Sequence, residues 1–240
     1  MIAIPSRPVH VVVNYKFMRK AAFPSLAILL VVAAAWAADS AVVADWSQHL
    51  LGTKGIPDGW KGGDWGSPKY DFEIVEGDGQ RVLRLRSEGD SSTISRDVKG
   101  KVNLKQTPVL EWRWRVTRLP RGADARKSAT DDEAGQVYVT WPRFPEAVRS
   151  RIIGYIWDTT APVGSVFRSE KTGTVHYVVV ESGPGKLGQW ITERRNVVED
   201  FKKIYGVEPD NPGGISISID SDDTRSSAEA FLATILFQKP

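Results

Sequence analysis

From about residue 70 onward, apolar and polar positions alternate in short runs, the signature of half-buried strands. Val82-Leu83-Arg84-Leu85-Arg86 alternates after an Asp78-Gly79 turn signal. In Leu110-Glu111-Trp112-Arg113-Trp114-Arg115-Val116, four apolar residues share one side, and Glu111, Arg113 and Arg115 share the other. Val137, Val139 and Trp141 oppose Gln136, Tyr138 and Thr140 in the same way, and Ile215, Ile217 and Ile219 oppose Ser216, Ser218 and Asp220. Ile152 to Trp157 and Val175 to Val180 are more apolar throughout, as expected of central strands. Proline and glycine punctuate the gaps, for example Pro120-Arg121-Gly122, Gly183-Pro184-Gly185 and Pro212-Gly213-Gly214. One stretch has helical period: Val197, Val198, Phe201, Ile204 and Tyr205 form a stripe, with Asn196 placed to cap it and Gly206 to end it. The pattern therefore predicts a mostly β chain with one short helix over 197–205. The final segment reads two ways: Ser226 to Ala230 favours helix by propensity, and Phe231 to Phe237 suits a closing strand.

The beginning of the chain differs. No charge lies between Lys20 and Asp39, and Leu26 to Ala38 is an unbroken small-and-apolar run after Arg19-Lys20. With Ala35-Trp36-Ala37 as a small-x-small cleavage pattern, residues 18–38 read as a secretory signal peptide. Pro24 and the alanine-rich end weaken the rival reading of a permanent anchor, which wants about 20 apolar residues. Cleavage is expected after Ala37 or after Ala44, with residues 45–240 as a single domain. Met18 stands directly before Arg19-Lys20, so residues 1–17 read as an upstream over-extension. The expected address is periplasmic or secreted, with no membrane contact after cleavage.

Charge changes little once the leader is set aside. The +3 formal charge includes Arg7, Lys16, Arg19 and Lys20, and without them 28 basic residues face 29 acidic ones. The mature chain is near neutral and gives no support to nucleic-acid binding. Absence of cysteine excludes disulfides and thiolate metal sites.

Several phrases together resemble the bacterial DUF3047 family, a domain of unknown function. They are Leu110 to Trp114, the Asp124 to Asp132 stretch running into Val137-Tyr138-Val139, and Tyr155-Ile156-Trp157. Later come Gly183 with Trp190, Arg195-Asn196 with Asp200, and Asp220-Ser221-Asp222-Asp223-Thr224. Asp223 departs from the Asn expected there. The resemblance covers roughly residues 45 to 238 and implies an exported, all-β jelly-roll sandwich similar to the concanavalin A-like lectins and glucanases. On that ground the final segment is expected to be a strand. The resemblance implies no known activity, so function must be argued from sites.

Three groups of residues carry candidate chemistry. Arg84, Arg86, Glu111, Arg113, Arg115, Gln136 and Tyr138 fall on outward strand faces, which form either a polar groove or a solvated, ion-paired sheet face. Two arginine pairs beside a single carboxylate suggest a hydroxyl-rich or acidic ligand, carbohydrate above all. Trp112 and Trp114 are expected in the core. Trp60 and Trp65 lie in a Gly-rich loop, either stacking on a sugar or plugging the sandwich end. Asp220, Asp222 and Asp223 offer part of a calcium shell, or an Asp-rich turn, and Asp131-Asp132-Glu133 is a weaker cluster of the same kind. Calcium apart, no cofactor is expected. Glu111, Asp132, Glu133, Asp158 and Glu181 are the acids available for glycoside hydrolysis, and no pair stands out. The histidines, His10, His49 and His176, make no metal set or convincing triad, and phosphate-loop patterns are missing. The leading expectation is a noncatalytic binding domain for carbohydrate or another hydroxyl-rich or acidic ligand. A glycan-cleaving enzyme on the same scaffold and a structural envelope protein are the alternatives.

Overall fold

The computed structural model describes residues 40–62 and 71–240. Its strands form two sheets. The first contains β1 (Ser40–Ala44), β3 (Phe72–Gly77), β4 (Gln80–Glu88), β6 (Val109–Arg118), β11 (Ile191–Asn196) and β13 (Ser227–Gln238), in the order β11-β6-β13-β4-β3, with β1 also paired to β13. The second runs β2 (Lys61–Gly62), β5 (Ser91–Asp97), β12 (Gly214–Asp220), β7 (Gly135–Trp141), β8 (Arg151–Asp158), β10 (Val175–Ser182) and β9 (Val166–Arg168). Between the sheets the antiparallel pairs nest: β4 with β13, β5 with β12, β6 with β11, and β7 facing β10 across an inserted β8. Successive strands alternate sheets around this nest, which is the jelly-roll topology. The final segment is strand β13, as expected. The strand β1 precedes the expected domain start at 45 and pairs with β13 through Ala41↔Phe237 and Val42↔Leu236. The signal-peptide reading falls on residues outside the described ones. Among the described residues, no helix is long and apolar enough to cross a membrane.

Strand alternation dictates the core. Trp112 and Trp114 point inward from β6 and are fully buried. Trp112 meets Tyr155 of the opposite sheet at 5.3 Å between ring centres, and Trp114 meets Trp157 at 6.0 Å, so an aromatic seam joins β6 to β8. Strands β8 and β10 are largely apolar because both of their faces are covered. On the outer side Ile156, Tyr177 and Val179 pack with Tyr138 and Phe167 and with Ala125 and Ala161 from outside the strands.

Besides the one-turn helix α1 (Glu146–Arg149), the helix α2 (Val197–Tyr205) follows β11 where the stripe predicts it. Asn196 caps it by accepting from the amides of Val198 and Glu199, and Gly206 ends it at φ +70°. Arg195 grips Asp200 with two bonds of 2.9 and 2.6 Å, and Asp200 accepts from the buried Tyr155 hydroxyl at 2.9 Å. This fork fixes the helix to the end of the aromatic seam.

Candidate functional site

The outer face of the first sheet gathers the arginines. Pairing places Glu73, Arg84, Phe231 and Arg115 in one cross-strand row, Arg113 beside Thr192 in the next, and Leu236, Glu111 and Arg194 in a third. Arg84, Arg86, Glu111, Arg113 and Arg115 thus share one surface. The apparent excess of positive charge does not survive folding. Glu73 and Glu229 pair with Arg84, Glu88 and Glu229 with Arg86, and Asp78 with Arg113 at 2.5 Å. Arg115 lies between the rings of Phe231 and Trp190, 4.5 and 5.0 Å from their centres. Apart from Glu88, on β4 itself, these carboxylates come from neighbouring strands and a hairpin tip that reading β4 and β6 by themselves does not bring in.

A bulge in β13 opens this surface. Pairing to β4 ends at Leu232, pairing to β1 begins at Ile235, and Ala233-Thr234 bulges between them opposite Arg113. The β3–β4 hairpin turns at Asp78 (φ +57°) and Gly79 (φ +73°), the type I′ geometry that Asp-Gly favours. Its tip reaches over β6, bringing Asp78 to Arg113 and Gly77 to Trp190. The result is a cleft of about 230 Å³ lined by Gln80, Glu111, Arg113, Thr192 and Thr234 above Trp112, Ala233 and Leu236. Gln238 donates to Glu111 at 2.6 Å and sets that carboxylate in the wall.

Four expected ligand contacts are elsewhere or outside the described residues. Gln136 and Tyr138 belong to β7 in the other sheet, on the far side of the sandwich from the arginines. There Gln136 is buried, and the Tyr138 ring lies over Gly154, where an added Cβ would come within 2.6 Å of it. Gln136 is thus buried and Tyr138 half-buried on a face that alternation alone presents as exposed, where Tyr138 packs in a cluster with Ala125 and Ala161 from outside the strands. Trp60 is also buried, at 6% exposure, and stacks on Trp46 with ring centres 5.7 Å apart, plugging the sandwich end. Trp65 lies outside the described residues.

Acidic residues collect at another place, where the start of β7 meets the end of β12. The Asp220 amide donates to the Glu133 carbonyl, so the two acidic clusters of the sequence become neighbours. Asp132, Asp222 and Asp223 bring one carboxylate oxygen each within 4.8 Å of one another. Asp220, expected as the third ligand, stands behind them. Burial, then Asp222 and Asp132, push its pKa up to about 9. Asp132 is fully buried and accepts from the amides of Asp223 and Thr224 at 3.1 and 2.7 Å. Burial also raises Asp131, and raises Glu133 well above the usual range with Asp131 and Asp220 adding to it. Lys171 pairs with Asp223; burial works against its charge, but Asp223, Asp222 and Asp220 outweigh it and hold its pKa up.

Two further acids, Glu181 and Glu193, sit on β10 and β11. Glu193 faces inward opposite Trp112, and burial followed by Glu181 raises its pKa to about 7. Lys186 pairs with Glu181 at 2.5 Å.

A family model described as "Protein of unknown function (DUF3047)" matches residues 58–236. The chain belongs to that family. In this DUF3047 domain most of the phrases that carry the resemblance do structural work: Trp112, Trp114, Tyr155 and Trp157 form the seam, and Arg195, Asn196 and Asp200 dock α2. None of the curated proteins matches the sequence. Among solved structures, a family 30 carbohydrate-binding module of a Clostridium thermocellum cellulosomal cellulase is similar at 12% identity and TM-score 0.44, over 83% of this chain and 97% of that one. A family 11 module of another cellulosomal cellulase from the same organism gives 8% and 0.42, over 84% and 95%. A xylan-binding domain from Paenibacillus barcinonensis gives 10% and 0.37, over 78% and 91%.

Sequence reasoning misses Asp78, Gln80, Trp190, Thr192 and Thr234 in this DUF3047 domain. Trp190-Ile191 is apolar and Thr192 to Asn196 polar, so β11 carries no period-two pattern that would have marked it.

Proposed function

We propose that the domain binds a carbohydrate, without cleaving it, in the cleft on the outer face of the first sheet. The observation that carries this reading is the cleft's construction: amide, hydroxyl, guanidinium and carboxylate groups ring an apolar floor. A sugar ring has the matching character, with hydroxyls at its edge and C–H bonds on its faces, and recognition sites combine apolar contact with a few placed polar groups. Arg113 and Glu111 are already oriented by Asp78 and Gln238, so they need little reordering to meet hydroxyls. On the signal-peptide reading of residues 18–38, the encounter takes place in the periplasm or outside the cell.

Calorimetric titration with a panel of soluble glycans tests the reading. Arg113→Ala should weaken binding by about 1.5–3 kcal/mol, the range for a charged hydrogen bond. Thr192→Val removes one exposed hydroxyl with little change of shape and should weaken binding while leaving the melting temperature unchanged. No binding across a broad panel, or binding indifferent to both substitutions, rejects the cleft and favours a structural envelope role.

Glycan cleavage is the second reading, and the Glu181–Glu193 pair favours it. Two carboxyl groups in unequal environments supply the acid and base of glycoside hydrolysis. Release of reducing ends that disappears in Glu193→Gln would establish it; binding without turnover would not.

A further inference from the structure

We propose that the loop before β7 and the loop after β12 form a calcium site, with Asp132, Asp222 and Asp223 as its carboxylate ligands. Their three oxygens lie within 4.8 Å of one another. Ligands around calcium stand about 2.3–2.6 Å from the ion, so any two are separated by at most roughly twice that distance. The existing spacing therefore meets the requirement without moving the backbone. All donors are hard oxygens, and the groups come from two loops, a combination suited to the adaptable six to eight positions of calcium more than to the tight octahedron of magnesium. Asp220 stands against both Asp132 and Asp222 and can supply a further oxygen.

A second observation points to a cation. Glu133 and Asp131, only 1% and 3% exposed, adjoin the cluster through Asp220 and Asp223; they lie against each other, and each keeps a buried carboxylate oxygen (Glu133 Oε1, Asp131 Oδ1) that no N–H or hydroxyl donor among the described residues reaches. Buried polar atoms are nearly always partnered, so two such acceptors side by side mark a place where positive charge belongs. Six carboxyl groups, on Asp131, Asp132, Glu133, Asp220, Asp222 and Asp223, share this corner, and the one ion pair they make among the described residues is Lys171 with Asp223. Lys171 is on the exposed side of the cluster and has room to swing away. Its ammonium holds the position that the ion takes, and calcium and Lys171 compete for Asp223.

This competition separates a metal site from an ordinary acidic turn. Chelator-treated protein, freed of its leader, is titrated with calcium chloride by calorimetry and melted with and without the ion. The wild type should bind one calcium and melt higher with it. Asp222→Asn, at the exposed rim, should melt like wild type in chelator and bind calcium roughly tenfold or more weakly. Lys171→Met should bind several-fold more tightly, because the competing charge is gone. Undiminished affinity in Asp222→Asn, unchanged affinity in Lys171→Met, or no binding by either wild type or Lys171→Met overturns the proposal.

Discussion

Trp112 serves two surfaces at once. Its indole is fully buried in the seam with Trp114 and Tyr155, and its own strand position forms part of the cleft floor. Trp112→Ala should cost roughly 3–5 kcal/mol, because the large void left by an indole closes only in part. Chemical denaturation measures this, and a loss under about 0.5 kcal/mol would mean the strand faces are reversed. Glu193 gives a pH signature at the same scale. Its pKa rises from the usual 4.5 to about 7 on folding, first through burial and then through Glu181. A carboxyl with a raised folded pKa favours the native state fully below its unfolded value and loses that contribution as pH climbs through the folded one. Melting temperature should therefore decline between about pH 4.5 and 7, and Glu193→Gln, which stays neutral, should flatten that decline. An equal slope in both proteins would assign it to other groups.

Among the elements, the β3–β4 hairpin is the one whose shape the cleft depends on. An added Cβ at Gly77 would come within 2.8 Å of Val82 Cγ2 while only touching Trp190 Cζ2 at 3.4 Å, so the hairpin must shift at Val82 to admit it. Gly77→Ala should destabilise by roughly 1–3 kcal/mol through overpacking, and should loosen the Asp78–Arg113 pair; thermal melts and glycan titration report the two effects. The same elements show what alternation along a chain conveys. The faces of β6 and the stripe of α2 were legible, since each depends on one segment and its own period. Alternation also separated Gln136 and Tyr138 from the core-facing Val137 and Val139. It could not say that β7 lies in the opposite sheet from β6, or that Ala125 and Ala161 pack on its outer face. The cleft wall was illegible for the same reason: Gln80, Thr192 and Thr234 come from β4, β11 and β13, and only long-range pairing brings them together. Asp132 joins Asp222 and Asp223 because β7 pairs with β12, although some ninety residues of sequence separate them.

For the whole molecule, β1 decides where processing can fall. Cleavage after Ala44 would remove a strand that pairs with β13 just beyond the bulge, and with it the buried Val43 and Ala44. Export with cleavage after Ala37 is the expected outcome, and N-terminal sequencing of the exported protein checks it; a start at Asp45 would refute it. The nested pairing also implies an order of assembly. Closing a loop between distant strands is entropically unfavourable, but the cost falls when the intervening chain is already folded back on itself. Here β7 and β8 are near neighbours in sequence, β5 and β12 are far apart, and β1 and β13 are the two ends of the described chain. Structure should then zip from the middle of the chain outward. Amide protection in pulse-labelled refolding should appear in β7, β8 and β10 before β4 and β13. On this order the bulge is framed by the last strands to arrive, and the proposed cleft forms only once β1 has met β13.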